Sequence, residues 1–273
     1  MLSTSIGPLA LSTTSVLMLL ALLVAAGVGR LAGRPNRVRI GDSLSDMLIA
    51  GLLAARIGFV TVWFDTYRSA PWSMLDIRDG GFLPPAGLTA ALLVAVWQGW
   101  RRTELRKPLA LGLGAGALVW GALGGAFSLL NNAALPSSPL MTLGGEATEL
   151  RTLAAGKPLV LNLWATWCHP CQREMPALAA AQKQETGIRF VFANQGEDGE
   201  TVRRFLAASH LTLDNVLLDP GAGSGRDVGS TALPTTLFYD AGGRLVDTQI
   251  GGLSEASLAS KLERLRPQPL SQK

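Results

Sequence analysis

The sequence predicts an α-helical membrane domain of four transmembrane helices, followed by an α/β domain. Three observations predict it. Residues 1–134 hold four long apolar stretches separated by short loops. The positive charges of that half gather in two of those loops. Residues 135–273 instead alternate strand-length apolar runs with helical segments. The domain boundaries are therefore set at 1–134 and 135–273.

Composition narrows the class. Hydrophobic residues make up 48% of the 273 and charged residues 16%, against roughly 25% charged in ordinary soluble proteins. Two cysteines cannot build a disulfide scaffold, an all-cysteine zinc site or an iron–sulfur cluster. Two histidines exclude a His-rich metal centre. The net charge of +4 does not point to nucleic acid once it is divided. Residues 1–134 carry 11 basic and 6 acidic residues, whereas residues 135–273 carry 13 and 14. The apolar half is the basic half, which is a mark of membrane topology.

The four apolar stretches run from about Leu9 to Gly29, Ser45 to Phe64, Pro84 to Trp100 and Pro108 to Leu130. A spanning helix needs about 20 mostly apolar residues, and roughly 17 is the lower limit. Only the third stretch sits near that limit. The first loop holds Arg30, Arg34, Arg37 and Arg39, and the third holds Arg101, Arg102, Arg106 and Lys107. Eight of the 11 positive charges of this half lie there. Basic loops stay in the cytoplasm, so both termini and the second loop are placed outside. The opening MLSTSIGPLALSTTS carries no Lys or Arg, so the first stretch reads as a retained helix rather than a signal peptide. Arg56 falls midway along the second span. A charge there costs at least ~2.5–3.5 kcal/mol, so it should face the bundle interior or a polar partner. Trp63, Trp72, Trp97 and Trp100 stand near span ends, where interfacial anchors belong.

This half resembles prolipoprotein diacylglyceryl transferase. The resemblance covers residues 5–125 and is carried by IGPLAL (6–11), LLAARIGFV (52–60), the DGG at 79–81 and GLGAG (112–116). The departures fall on that family's chemistry. Pro85 stands where the family has a His, and Ala117 and Trp120 stand where it has an Arg and an Asn. The half reads as a degenerate relative that keeps the helix packing and has lost acyl-glycerol transfer.

Asn131 to Pro139 (NNAALPSSP) forms a short polar linker. Beyond it, Leu159–Trp164, Ile188–Ala193 and Asn215–Asp219 read as strands, and Cys171 to Lys183 and Glu200–Ser209 as helices. Thr235–Asp240 and Arg244–Ile250 read as a hairpin turning at Asp240-Ala241-Gly242-Gly243, and Leu258–Leu265 as a closing helix. This order indicates an α/β sheet with helices on both faces.

The chemistry centres on WATWCHPCQREMP, residues 164–176. A CxxC directly after an apolar strand and at the start of a helix is a redox motif. The helix N-terminus stabilises a Cys168 thiolate, which is the attacking species. Cys171, in the first helical turn, is the resolving thiol, and Pro170 shapes the turn between them. Protonated, His169 would stabilise the thiolate further; it could equally be exposed and neutral. Trp164 and Trp167 pack around the site, with Trp167 either shielding the disulfide or serving the core. His210 reads as an ordinary helix-end residue. Three other readings of the cysteines stay open: Cu(I) held by the soft thiolates, a structural disulfide and a zinc half-site lacking its other ligands.

The second half resembles the thioredoxin superfamily, and within it the membrane-anchored TlpA/ResA-like group. The carrying residues are WCxPCxxEMP at 167–176, FANQGED at 192–198 and ALPTTLFYD at 232–240. The resemblance covers residues 140–267 and implies a thioredoxin-like fold. It implies a cis Pro234, facing the CxxC and positioning substrate backbone beside Cys168. It also implies an acidic residue near the cysteines, Glu197, exchanging a proton with Cys171.

The expected activity is that of a membrane-tethered periplasmic thiol–disulfide oxidoreductase in a bacterial inner membrane, working in the reducing direction. Oxidation or isomerisation through the same pair is the alternative, as is a Cu(I)-binding module. No cofactor or metal is expected beyond the redox-active Cys168–Cys171 disulfide. Expected partners are periplasmic protein disulfides and membrane lipid, with no nucleic acid. Residues 1–134 contain no cysteine, so thiol exchange cannot run through this chain's own spans. A separate transmembrane thiol reductase, or an oxidase, must set its redox state.

Overall fold

The computed structural model describes residues 3–6, 9–33, 40–68, 71–130 and 134–266. Gly7 and Pro8 of the IGPLAL run, Arg34, Arg37 and Arg39 of the first basic loop, and linker residues 131–133 lie outside the described residues. The chain divides into two compact units. One comprises Thr13–Ile77 and Gly81–Asn131; the other comprises Met1–Ser12, Arg78–Gly80 and Asn132–Lys273.

The first unit is helical: α1 (Thr13–Gly33), α2 (Ile40–Val62), α3 (Pro84–Arg101) and α4 (Arg106–Leu130). Among the described residues, three segments are long and apolar enough to cross a membrane: Val16–Gly33, Ile40–Val62 and Thr103–Ala126. The expected third span forms as α3, but it is not among those three. It has 18 residues, about 27 Å of helix, and it buries the polar Gln98, which donates to Asp46 at 2.9 Å. The first helix also starts later than the apolar pattern suggests. Leu9–Ser12 is a strand (β2) paired antiparallel with Ser3–Ile6 (β1). The helix begins at Thr13, directly after that strand. Helix α2 starts earlier than expected, and its first turn takes in Asp42, a charge suited to a helix N-terminus.

Small residues set how these helices pair. On α4, a Cβ added to Gly112 would lie 2.7 Å from the Ala25 carbonyl oxygen of α1, and one added to Gly116 would lie 3.1 Å from that of Ala21. On α3, a Cβ at Gly87 would lie 2.8 Å from the Gly51 carbonyl oxygen of α2. Gly112 and Gly116 of the GLGAG run therefore serve close backbone approach, as small residues do at helix–helix interfaces.

Arg56 of α2 is buried, and carbonyl oxygens meet its charge. Its Nε donates to Met74 at 3.1 Å, one terminal nitrogen to Gly81 at 2.7 Å, and the other to Ser73, Met74 and Asp76 at 2.9–3.2 Å. The guanidinium also lies over the Tyr67 and Phe82 rings. One side chain thus holds the short 3-10 turn Pro71–Leu75 that follows α2.

The second unit is built on a seven-stranded sheet. Its strands are β3 (Leu140–Thr142), β4 (Ala147–Thr148), β5 (Leu159–Trp164), β6 (Arg189–Gln195), β7 (Val216–Asp219), β8 (Thr235–Tyr239) and β9 (Leu245–Ile250). The spatial order is β4-β3-β7-β6-β5-β8-β9. β5, β6 and β7 run parallel, and β3, β8 and β9 pair antiparallel at the flanks. Helices α5 (Leu150–Ala154), α6 (His169–Gln184), α7 (Gly199–Ala208), α8 (Gly223–Val228) and α9 (Glu255–Leu265) complete it. Alternation along β5 divides the core in two. Val160 and Trp164 join the cluster that includes Met175 and Leu178 of α6 and Leu258 and Leu262 of α9. Leu159, Leu161 and Leu163 join the cluster with Leu150 of α5. A strand covered on both faces reads as a continuous apolar run, as LVLNLW does.

The hairpin turns where expected. Asp240 accepts the backbone N–H groups of Gly242 and Arg244, and Gly243 takes the positive φ of +77° that favours glycine. The apolar pattern leaves β3, β4, α5 and α8 unannounced. Each is short, and α8 (GSGRDV) has a poor helical composition. It forms because the buried Asp219 accepts the N–H groups of Gly223 and Ser224 at 2.7 and 2.8 Å, satisfying first-turn donors that have no partner within the helix.

Candidate functional site

Strand β5 ends at Trp164, and the chain turns through Ala165, Thr166 and Trp167 into α6. The helix starts at His169, earlier than the Cys171 expected from periodicity. Cys168 is its N-cap, and the Cys168 Sγ accepts the Cys171 N–H at 3.3 Å. Pro170 occupies the first turn, where its missing N–H costs nothing. The helix continues through Pro176 to Gln184.

The two cysteines form a disulfide with Cα atoms 5.2 Å apart. Cys171 is fully buried, and Cys168 retains 5% exposure. When the pair is reduced, the sulfur at the N-cap faces free backbone N–H groups and the positive end of the helix, which favour a thiolate. His169 is exposed on the first helical turn. His210 follows α7 with a positive φ of +52° and donates its N–H to the Ala207 carbonyl.

The two tryptophans divide. Trp164 is fully buried and tilts against Phe205, with ring centroids 5.6 Å apart. Trp167 does not serve the core: it is 65% exposed. It lies past the end of β5, in the turn, where no strand alternation directs it inward. Its indole instead offers an apolar surface at the residue next to Cys168.

Pro234 is buried, and the Leu233–Pro234 peptide bond is cis. Leu233 packs against the core cluster that contains both cysteines. The Pro234 carbonyl accepts the Gly251 N–H at 2.9 Å.

Glu197 lies beyond the end of β6. Its Oε2 accepts the Thr166 N–H and the Asn194 amide, each at 2.7 Å, and its Oε1 accepts the Thr166 hydroxyl. The carboxylate implied by the family resemblance to exchange a proton with Cys171 is engaged by Thr166 and Asn194.

One group escapes the sequence reading. Glu174, three residues past Cys171 on α6, is buried to 1% exposure. Its Oε1 accepts the Asn162 amide of β5 at 2.7 Å, and its Oε2 accepts the Leu253 N–H at 2.9 Å. Burial pushes its pKa from 4.5 to about 7, although both hydrogen bonds pull the other way. A carboxyl that titrates near neutrality one turn from Cys171 can exchange protons at working pH. The available signal is the spacing: i+3 from Cys171 places Glu174 on the same helix face as the buried cysteine. Its neighbour Met175 is also fully buried, within the same core cluster as both cysteines.

A parallel-centred sheet flanked by helices, with a CxxC disulfide capping a helix at the end of a central strand, defines a thioredoxin-like protein-disulfide oxidoreductase. The Redoxin family profile matches residues 130–263. The chain is 34% identical over 131 residues to thiol-disulfide oxidoreductase ResA of Halalkalibacterium halodurans, covering 47% of this chain and 73% of that protein. It is 34% identical over 134 residues to thioredoxin-like protein YneN of Bacillus subtilis, covering 47% and 76%. A solved structure of MTB dsbF in mixed oxidised and reduced forms is 26% identical, covers 49% of this chain and 97% of that one, and has a TM-score of 0.43. This chain belongs to the ResA-like thiol-disulfide oxidoreductases.

Proposed function

We propose that the protein is a membrane-tethered protein-disulfide reductase of the bacterial periplasm. The observation that carries this reading is the Cys168–Cys171 pair at the N-terminus of α6, with Cys168 Sγ as N-cap. In the proposed reaction the Cys168 thiolate attacks one sulfur of a substrate protein's disulfide. A mixed disulfide forms, and the substrate's other sulfur leaves as a thiolate and takes up a proton. Cys171, deprotonated, then attacks Cys168 Sγ and releases the second substrate thiolate. The substrate gains two electrons and the enzyme ends as its disulfide, which an external dithiol must reduce again. No bound cofactor or metal takes part.

In this reading Pro234 receives substrate backbone beside Cys168, Trp167 provides an apolar rest for it, and His169 and Pro170 tune and shape the turn. Helices α1–α4 span the inner membrane as four passes, with Arg101, Arg102, Arg106 and Lys107 on the cytoplasmic side. Both termini and the oxidoreductase domain are periplasmic. The helical unit keeps the packing of a diacylglyceryl transferase-like domain without its transfer chemistry; Pro85, in place of that family's His, lies in the first turn of α3.

The test is trapping. A Cys171→Ala variant expressed in cells should accumulate mixed disulfides between Cys168 and periplasmic proteins, visible as dithiothreitol-sensitive bands. If no such species forms, the exchange reaction is wrong. If trapping succeeds while the parent's pair is found mainly oxidised in cells, the direction is oxidative.

A further inference from the structure

We infer that Glu197 is a positioning residue: its carboxylate clasps Thr166 and thereby fixes where Cys168 presents its sulfur. This deepens the proposed function and rests on Cys168 being the attacking thiol.

The clasp uses every polar group of Thr166. Its N–H donates to Glu197 Oε2 at 2.7 Å, and its hydroxyl donates to Oε1. Its carbonyl accepts the Gln172 side-chain amide at 2.6 Å. Thr166 lies two residues before Cys168, and Gln172 lies one residue after Cys171. The loop carrying the attacking cysteine is therefore held from one side by a carboxylate and from the other by its own helix.

Glu197 is itself held to the sheet. Asn194, fully buried near the end of β6, donates its amide to Glu197 Oε2 and accepts the Glu197 N–H through its Oδ1 at 3.3 Å. Asn194 pairs in register with Trp164, the last residue of β5. Gly196 turns the chain between Asn194 and Glu197 with a φ of +82°, and its N–H donates to the Asp219 carbonyl at 2.9 Å. A rigid strand end thus carries the carboxylate to Thr166.

The chemical consequence follows from the N-cap. Cys168 Sγ meets the Cys171 N–H at 3.3 Å only while the turn from 165 to 168 keeps its course. Helix N-terminal stabilisation falls off within the first turn, so a loosened turn moves the sulfur away from the donors that favour its thiolate. The carboxylate acts through Thr166 rather than by touching sulfur. Proton exchange would act differently: it would depend on Glu197 and be indifferent to the Thr166 hydroxyl.

The test measures iodoacetamide alkylation of Cys168 against pH in full-length protein carrying Cys171→Ala. Thr166→Val has no titratable group and keeps the side-chain shape. It should slow alkylation at neutral pH by about tenfold, the kinetic equivalent of one hydrogen bond, and move the pH midpoint upward. Thr166→Ser should restore the parent profile. Glu197→Ala should slow the reaction at least as much, and the double variant Thr166→Val/Glu197→Ala should be no slower than Glu197→Ala alone. A Thr166→Val profile that matches the parent, or losses that add in the double variant, would overturn the proposal. If protein with both Cys168 and Cys171 intact fails to reduce any protein disulfide while the alkylation series behaves as described, the reductase function is wrong and the positioning role stands.

Discussion

Glu174 makes the stability of the C-terminal unit depend on pH in a direction that can be worked out. In the unfolded chain its carboxyl loses its proton near the ordinary 4.5; in the fold it keeps the proton up to about 7. Between those values the folded state binds more protons, so stability falls as pH rises. The contribution is fully present below pH 4.5 and is lost as pH passes through 7. The shift corresponds to about 3 kcal/mol. A Glu174→Gln variant should lose that slope, because its amide can still accept from one partner but cannot titrate. Near-UV circular dichroism melts of the oxidised protein from about pH 4 to 8, spanning both values, check this. Parallel melting profiles for variant and parent would show that Glu174 does not titrate in this window. The same residue marks a limit of reading the sequence. The CxxC is legible at once, whereas Glu174 enters the sequence reading only as a letter of WCxPCxxEMP, with no role attached. Its spacing places it on the helix face of Cys171, and its packing against Asn162 and Leu253 is what shows it to be a buried carboxyl.

The elements legible in the sequence are those whose own residues determine them. LVLNLW makes a buried central strand because it is apolar on both faces, and the bodies of α6 and α9 follow from periodicity, although both begin earlier than it indicates, at His169 and Glu255 behind the N-caps Cys168 and Ser254. The elements that are not legible depend on remote groups. Helix α8 has three Gly or Ser residues at its start and forms around Asp219, which arrives from β7 and also accepts from Gln195. Asp219→Ala strands two buried N–H groups and should cost at least about 1–3 kcal/mol, read as a lowered midpoint in thermal melts. In the helical unit, α4 offers an internal comparison. Gly112→Leu drives a side chain into the α1 backbone, and overpacking of this kind costs about 1–3 kcal/mol. Gly114, two residues along, has nothing within 4 Å of an added Cβ, so Gly114→Leu should be tolerated. The measurement is resistance of the helices to denaturant in the detergent-purified protein, read by far-UV circular dichroism. Equal losses for both variants would mean that α1 and α4 do not rely on close approach.

At the scale of the whole molecule, the distribution of cysteine decides what this protein depends on. Its sole two cysteines, Cys168 and Cys171, form one disulfide, and residues 1–134 hold none. If the pair works as the proposed reductase, each turnover leaves that disulfide closed, and two electrons must reach it before the next. Thiol exchange needs a sulfur at every step, and the helical unit offers none, so the electrons must come from another molecule. A pair that works as a reductase in an oxidising compartment should therefore be found mostly reduced in living cells, and should become oxidised when membrane thiol reductases are removed. Acid quenching followed by maleimide gel-shift analysis reads this state directly, because the protein carries no other thiol to confuse the count. Replacing helices α1–α4 with an unrelated single-span anchor separates tethering from recruitment. If the pair stays reduced in that chimera, the four helices serve as an anchor, and the reductant recognises the C-terminal unit alone. If it becomes oxidised while the domain still exchanges disulfides in vitro, the helices help bring the electron donor to Cys168.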